Sequence, residues 1–248
     1  MTASSTLAAY KARTVDSAPV DNINIGFNYF WDFAANFEGF SATGTRPTPV
    51  EPATFNIDYS SAFEYLGAVQ TRIQNNNDVV NFVIGLNSSI TTSVSDNVNF
   101  QARICPAAFG DPPLTTPNWR RAGAIGIFDT LDNPQGITNG AYFYFDGAIS
   151  NNFICRTRFG FTIESFTTST PVTYSDVYLK IVIAISGTYF YINNQLVFTS
   201  TQGTGLVNGG LHYVGISEKR TDAGGIVVGT TIDAFALAGL FRTVRNFT

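Results

Sequence analysis

The segment from residue 177 to residue 200 constrains the fold of this chain more than any other part of the sequence. Leu179, Ile181, Ile183 and Ile185 alternate with other residues, which is the period-two pattern of a half-buried β-strand from Tyr178 to Ile185. The Asn-Asn pair at 193 and 194 predicts a two-residue hairpin turn, because asparagine tolerates the positive φ that a type I′ turn requires. The segment is therefore predicted to form a three-stranded antiparallel meander.

Strand-like runs separated by turn residues recur along most of the remaining chain. The runs are Phe55 to Tyr59, Val79 to Leu86, Val98 to Cys105, Ala122 to Phe128, Ala141 to Phe145, Phe153 to Phe161, Leu211 to Ile216 and Ile226 to Leu237. The last run is predicted to lie beside an early strand. Many strands of similar length without an internal repeat predict an all-β fold, specifically a two-sheet antiparallel jelly-roll sandwich.

The first 22 residues differ from the rest, because they show no sustained periodicity. We predict an extended N-terminal arm at 1–22 and a single jelly-roll domain at 23–248. The arm cannot bury enough apolar area to offset the cost of ordering its own backbone, which is about 1–2 kcal/mol per residue. Leu7, Tyr10 and Val15 are the residues expected to anchor it on a neighbouring subunit.

The meander resembles a motif of the concanavalin A-like and laminin G-like jelly-roll domains. Those domains often show a strand, a glycine turn and then a Tyr-Ile-Asn-Gly-x-Leu-Val hairpin; this chain has Gly187 followed by Tyr-Ile-Asn-Asn-Gln-Leu-Val at 191–197. Asn194 stands where glycine is usual. Ile232-Asp233-x-Phe235-x-Leu237 resembles their final strand. The resemblance implies the fold and leaves the function open.

Catalytic residue patterns are absent from the sequence. Hydrolases of the resembled family carry acidic residues at alternate positions of one strand, and no two of the 18 acidic residues here are two positions apart. Glu164 stands alone in its run. The one histidine, His212, lies among apolar neighbours and is interpreted as a sheet residue rather than a general base. The chain is therefore predicted not to be an enzyme.

No cofactor is predicted, with calcium as the one alternative. Asp129, Asp132 and Asn133 lie in one turn, and their oxygen atoms suit Ca²⁺. The competing interpretation is that these residues only form the turn. Cys105 and Cys155 are predicted to be reduced and buried, with a disulfide between neighbouring strands as the alternative.

The surface composition suggests contact with other proteins. Charged residues are 13% of the chain, against about 25% in a typical domain, and interfaces are enriched in aromatic residues and arginine. Trp31, Arg120 and Arg121 are the predicted interface residues, and Trp119 is a candidate glycan contact. Arg156 and Arg158 fit either a solvated strand face or contact residues.

The charge and hydropathy of the sequence argue against nucleic-acid and membrane partners. A net charge of −4 and a pI near 4.9 argue against nucleic acid, and no run reaches the length of a membrane span. No signal peptide is visible, so synthesis in a host cytoplasm is expected.

The expected function is that of a non-enzymatic structural protein of a virus particle. A phage-type capsid decoration or cement protein, or a tail-associated subunit, fits the absence of a catalytic site and the interface-like composition. Its expected partners are copies of itself and other virion proteins. The alternative is a lectin-like module that binds glycans, and a third possibility is a hydrolase relative that has lost its activity.

Overall fold

The computed structural model of the chain describes residues 24–31, 41–45, 56–58, 68–71, 73, 76–86, 94–109, 121–131, 133–173, 175–203, 212–221 and 229–242. In chain order the strands within these ranges are β1 (Asn24–Trp31), β2 (Ser41–Thr45), β3 (Asn56–Asp58), β4 (Ala68–Gln70), β5 (Val79–Leu86), β6 (Val94–Phe109), β7 (Arg121–Phe128), β8 (Asn139–Asp146), β9 (Ser150–Phe159), β10 (Thr162–Pro171), β11 (Val177–Ala184), β12 (Gly187–Ile192), β13 (Gln195–Ser200), β14 (His212–Arg220) and β15 (Gly229–Arg242). The helical structure within the same ranges is one 3-10 turn, Pro134–Gly136.

The strands form two antiparallel sheets that pack face to face. The seven-stranded sheet has the order β10-β9-β8-β7-β14-β5-β2. The eight-stranded sheet has the order β13-β12-β11-β6-β15-β4-β3, and β1 also pairs with β15. Each sheet combines hairpin pairs of consecutive strands with pairs that are distant in the chain, such as β7–β14 and β6–β15, as in a jelly roll. The predicted all-β sandwich is confirmed.

The predicted meander is present as β11, β12 and β13. Burial alternates strictly along β11, with Leu179, Ile181 and Ile183 fully buried. Ile185 was predicted on the same buried face, but β11 ends at Ala184 and the side chain lies in the following turn, 69% exposed. Asn193 and Asn194 both have positive φ, 50° and 66°. The two-residue turn therefore forms for the reason that the sequence indicates, since asparagine reaches this region of φ at a low steric cost.

Aromatic side chains from both sheets fill the core. Phe143 of the seven-stranded sheet packs edge-to-face against Phe190 of the eight-stranded sheet, with ring centroids 5.3 Å apart. Phe82 and Phe235 pack across the same interior at 6.5 Å. Burying a side chain of this size contributes about 1.5–3 kcal/mol, so these inter-sheet contacts hold the sandwich together.

The sequence pattern predicted the pairing of the closing strand, but it missed one edge strand. Strand β15 pairs with the early strand β1 along its length, from Trp31 opposite Phe235 to Asn24 opposite Arg242, as predicted. Strand β10 was not predicted. Among the described strands it pairs with β9 alone, and most of its side chains are exposed. Its sequence therefore lacks the alternation of apolar and polar residues by which a half-buried strand is recognised.

Arg121 was predicted to lie at an interface, and the structure places it inside the sandwich. Its guanidinium forms an ion pair with Glu218, and both side chains are 0% exposed. Thr230 of the eight-stranded sheet accepts a hydrogen bond from Arg121 at 2.7 Å and donates one to Glu218 at 2.6 Å. Thr71 also donates to Glu218. Arg121 is therefore buried within its own chain rather than exposed on its surface.

Two further expectations concern buried groups. Cys105 and Cys155 are both buried, as predicted, and burial raises the pKa of the Cys155 thiol well above its usual range. His212 is buried in β14, as expected for a sheet histidine. In the described part of the chain, no helix has the length and apolar character to cross a membrane.

Candidate functional site

The outer face of the seven-stranded sheet, which points away from the sandwich core, carries an unusual set of side chains. On each strand the residues of this face alternate with residues that point into the core. Its members include Tyr142, Tyr144 and Asp146 on β8, Ile154, Arg156 and Arg158 on β9, Ile163, Ser165 and Thr167 on β10, and Asn81 and Ser217 on β5 and β14. Aromatic, cationic, acidic and hydroxyl groups thus share one surface.

Strand register places one row of this face directly across the sheet. Ser165 lies opposite Arg156, and Arg156 lies opposite Tyr142. The row continues through Gly126 and Gly215, which face each other on β7 and β14. Their φ angles are +153° and +144°, and a Cβ at either position would come within 2.4 Å of a backbone oxygen. Beside the Tyr142 ring, the centre of the face therefore consists of glycine backbone without side chains.

The connection between β7 and β8 folds back over part of this face. Leu131 and Ile137 of this connection join an apolar cluster with Tyr142 and Tyr144. The Leu131 carbonyl accepts a hydrogen bond from the Asn81 amide at 2.7 Å. Burial increases from the β10 edge toward the middle of the sheet: Ser165 is exposed, Arg156 is partly buried and Tyr142 is buried. A ligand would therefore approach from the β10 side.

Tyr144 links the charged groups of the face. The Arg156 guanidinium lies over the Tyr144 ring, 4.3 Å from its centroid, and the Tyr144 hydroxyl donates to Asp146 at 2.7 Å. Burial, reinforced by Asp146, raises the pKa of Tyr144 above its ordinary value. Burial also raises the pKa of Tyr142, against the opposing effect of Arg156. Both tyrosines are therefore neutral hydrogen-bonding groups at physiological pH.

Two oxygen atoms on the central strands of the face have unused hydrogen-bonding capacity. Ser217 and Asn81 are register partners on β14 and β5, and both side chains are buried. Within the part of the chain that the structure describes, the Ser217 hydroxyl and the Asn81 carbonyl oxygen have no hydrogen-bond partner. An unsatisfied buried polar group costs about 1–3 kcal/mol, so a bound hydroxyl or water would stabilise this position.

The turn considered for calcium uses its oxygen atoms internally. Asp129 accepts hydrogen bonds from the Thr138 amide at 2.9 Å and the Asn139 side chain at 2.9 Å. Although burial acts to raise the Asp129 pKa, these bonds outweigh it and the pKa is lowered. Asn133 caps the 3-10 turn by accepting from the Gln135 amide at 3.0 Å. Asp132 lies outside the described residues. The contacts favour the turn-forming interpretation of Asp129 and Asn133.

The other sequence-predicted site residues cannot be compared with this face. Leu7, Tyr10, Val15, Trp119 and Arg120 lie outside the described residues. Trp31 ends strand β1, whose backbone pairs with β15. Their interface and glycan roles stay predictions.

Sequence reasoning did not single out the tyrosines, Asp146, Ser217 or Asn81. The one available signal was the alternation of Tyr142 and Tyr144 with apolar residues along β8, and of Arg156 and Arg158 along β9. Alternation indicates that a strand has two faces, but it does not identify the residues on the neighbouring strand.

The carboxylates of the described residues do not form a hydrolytic pair on this face. Among the described strands of the seven-stranded sheet, Asp146 is the one acidic side chain on the outer face. Glu218 points into the sandwich, where it pairs with Arg121. Glu164, on the edge strand, accepts hydrogen bonds from Thr201, and these hold its pKa below the usual value. Retaining and inverting glycosidases both use two carboxyl groups that flank the scissile bond.

Comparison of the fold with solved structures finds many similar proteins. A protein of unknown function from Shewanella oneidensis MR-1 matches with a TM-score of 0.60 and 11% identity, over 100% of this chain and 98% of that one. The carbohydrate recognition domain of Emp46p matches with a TM-score of 0.53 and 7% identity, over 82% and 88%. LamA from Zobellia galactanivorans, solved with laminaritriose and laminaritetraose, matches with a TM-score of 0.53 and 10% identity, over 85% and 97%.

No protein-family model matches the sequence, and no curated protein matches it. The structural similarities lie at identities of about 10%. They show that this chain has the sandwich fold of lectin-like and glycoside hydrolase domains, as the concanavalin A-like resemblance implied.

Proposed function

We propose that this protein is a carbohydrate-binding module whose ligand lies on the outer face of the seven-stranded sheet. The observation that carries the proposal is the contact series Arg156, Tyr144 and Asp146, which joins a cation, an aromatic ring and a carboxylate on one surface. Small-molecule sites combine mainly apolar and aromatic walls with a few fixed polar groups. The exposed Ser165 and Thr167 hydroxyls on β10 add hydrogen-bonding capacity that matches sugar hydroxyls.

The comparisons support binding of sugars, and the carboxylate placement favours binding over hydrolysis. Emp46p contributes a carbohydrate recognition domain, and LamA was solved with bound oligosaccharides. Glycoside hydrolases are also among the similar structures. The outer face carries Asp146 as its one described strand carboxylate, and that group already accepts from Tyr144 and the Ala148 amide. We therefore propose a non-enzymatic role.

A steric block on the accessible side of the face tests this function. Ser165 is exposed on β10 opposite Arg156, so Ser165→Trp would fill the approach to the face. Thr199 is exposed on β13 of the other sheet, and Thr199→Trp is the matched control. A glycan array should identify a bound sugar, and calorimetry should show that the first variant abolishes binding and the second preserves it. Equal binding by both variants would rule out the outer face.

A second candidate role, as the subunit of a homo-oligomer, is favoured by a separate observation. Five exposed large apolar side chains lie on β10, β13 and the β9–β10 hairpin: Phe159, Phe161, Ile163, Phe166 and Leu196. Strands β10 and β13 meet at one edge of the sandwich, where Phe166 stacks on Phe198 with centroids 5.6 Å apart. An exposed apolar sheet edge is a template for pairing with another chain. As an alternative to ligand entry at this edge, we propose that a second copy covers it.

The oligomer is tested by removing apolar groups from the edge. Phe161→Ser combined with Ile163→Thr should shift the protein toward monomer in analytical ultracentrifugation. Ile149→Ser, at an exposed apolar position in the β8–β9 turn, is the control and should leave the oligomer intact. A wild-type chain that sediments as a monomer would refute the role. The expected place in a virus particle stays a prediction.

A further inference from the structure

The geometry points to an acidic glycan as the ligand, with Arg156 and Arg158 binding its carboxylate or sulfate groups. This inference rests on the proposed carbohydrate-binding function and specifies the chemical class of the sugar. It is carried by the position of the two arginines on β9, by the lack of acidic partners for them among the described residues, and by the exposed hydroxyl groups beside them.

The two arginines stand on the accessible part of the outer face. They occupy alternate positions of β9, so their Cα atoms are about 7 Å apart along the strand, and both are partly exposed. Arg156 lies opposite Tyr142 and Arg158 lies opposite Gly140. Because glycine has no side chain, Arg158 has no side-chain neighbour on β8 at this register position.

Neither guanidinium contacts a carboxylate among the described residues. Arg158 donates its Nε–H to the Gly160 carbonyl at 3.2 Å. Arg156 stacks on Tyr144, and its Nε has no hydrogen-bond partner in the described ranges. Other arginines of the chain behave differently: Arg103 pairs with Asp176 at 3.2 Å, and Arg121 pairs with Glu218. The outer-face pair is therefore available for a ligand anion.

The two acidic groups nearest this face are occupied by other donors. Asp129 accepts from Thr138 and Asn139, and Asp146 accepts from Tyr144 and the Ala148 amide. They line the side of the face that the β7–β8 connection covers, whereas Arg158 lies toward β10. An anion that approaches from the β10 edge meets the arginines first.

The chemistry of the flanking residues suits a sugar acid better than another polyanion. Ser165 and Thr167 place exposed hydroxyls on β10 beside the arginines, where they can bond sugar hydroxyls. Arginine binds carboxylate, sulfate and phosphate groups through two parallel N–H bonds. The net charge of −4 disfavours nucleic acid, whose binding requires a broad basic surface. A carboxylated or sulfated oligosaccharide needs only local cationic contacts.

Calorimetry on the full chain with three probes tests the inference. The probes are an oligogalacturonate, a sulfated galactan oligosaccharide and neutral laminaritetraose, measured at low and at raised ionic strength. Arg158→Gln should weaken binding of the preferred acidic probe by about 10- to 100-fold, the range for a charge-assisted hydrogen bond. Arg103→Gln removes the same charge from the other sheet and should leave the affinity within about two-fold, because distant sites act independently. The preference between the carboxylated and sulfated probes identifies the anion.

Arg158→Lys separates specific recognition from general attraction. Lysine keeps the charge but loses the bidentate fork, so it should restore only part of the affinity. Full rescue by lysine, or equal losses in Arg158→Gln and Arg103→Gln, would overturn the inference. Binding of laminaritetraose with no effect of Arg158→Gln would overturn it while leaving the proposed carbohydrate-binding function intact. If neither a glycan array nor any probe shows binding, both fail together. Circular dichroism of each variant establishes that it folds.

Discussion

Removing the buried charge of Glu218 should be among the most damaging single substitutions in this protein. Glu218→Gln keeps the shape of the side chain but removes the Glu218 charge from its ion pair with the Arg121 guanidinium, which is 0% exposed. Breaking a buried ion pair at one partner costs about 3–5 kcal/mol. Since small domains are stable by about 5–15 kcal/mol, the loss should be a large fraction of the total. Thr230 belongs to the opposite sheet, so the loss should also weaken the contact between sheets.

An exposed ion pair of the same chain provides the comparison. Arg103 and Asp176 lie 3.2 Å apart with side chains 36% and 35% exposed, and Asp176→Asn should cost at most about 1 kcal/mol. Urea denaturation followed by circular dichroism gives both free energies of unfolding. The double variant Arg121→Met with Glu218→Leu should be more stable than Glu218→Gln, because no uncompensated charge remains. If Glu218→Gln costs no more than Asp176→Asn, the reasoning is wrong.

Three other predictions concern the backbone and the buried titratable groups. Gly126→Ala should destabilise the protein by about 2 kcal/mol or more in urea denaturation, because only glycine adopts its φ without strain and a Cβ would lie 2.4 Å from a backbone oxygen. Gly136→Ala, with its nearest contact at 3.8 Å, should be nearly neutral, and equal losses would contradict the argument. Cys155 should react slowly with iodoacetamide in the folded protein and quickly in urea, since burial raises its pKa; fast native labelling would argue against this. Tyr144 has a raised pKa in the folded state, so its contribution to stability is intact below about pH 10, the unfolded value, and falls at higher pH. Ultraviolet absorbance at 295 nm, compared with Tyr144→Phe, should place its ionisation after that of exposed tyrosines.

Much of the fold follows from local sequence pattern. The alternation at Leu179, Ile181 and Ile183 predicts a strand with one buried face, and Asn193-Asn194 predicts its hairpin turn; both are present. The pattern fails at β10, where serine and threonine dominate an edge strand. Strand β10 forms because its backbone can hydrogen-bond to the edge of β9, while its own polar side chains can remain exposed to solvent.

The candidate site depended on information that no local pattern carries. The sequence shows that Arg156 and Arg158 share a strand face, but their neighbours Tyr142 and Gly140 come from register. The sequence also gave no reason to separate Arg120 from Arg121, whereas the structure places Arg121 beside Glu218, 97 residues away.

Strand periodicity and turn conformation are therefore determined by the sequence itself, because they depend on the backbone preferences of adjacent residues. The ion pair inside the sandwich, the residues that meet across the outer face and the strands that remain at an edge are decided by tertiary structure. They depend on which strands pair and in which register, and that choice is made by the packing of both sheets around one shared core.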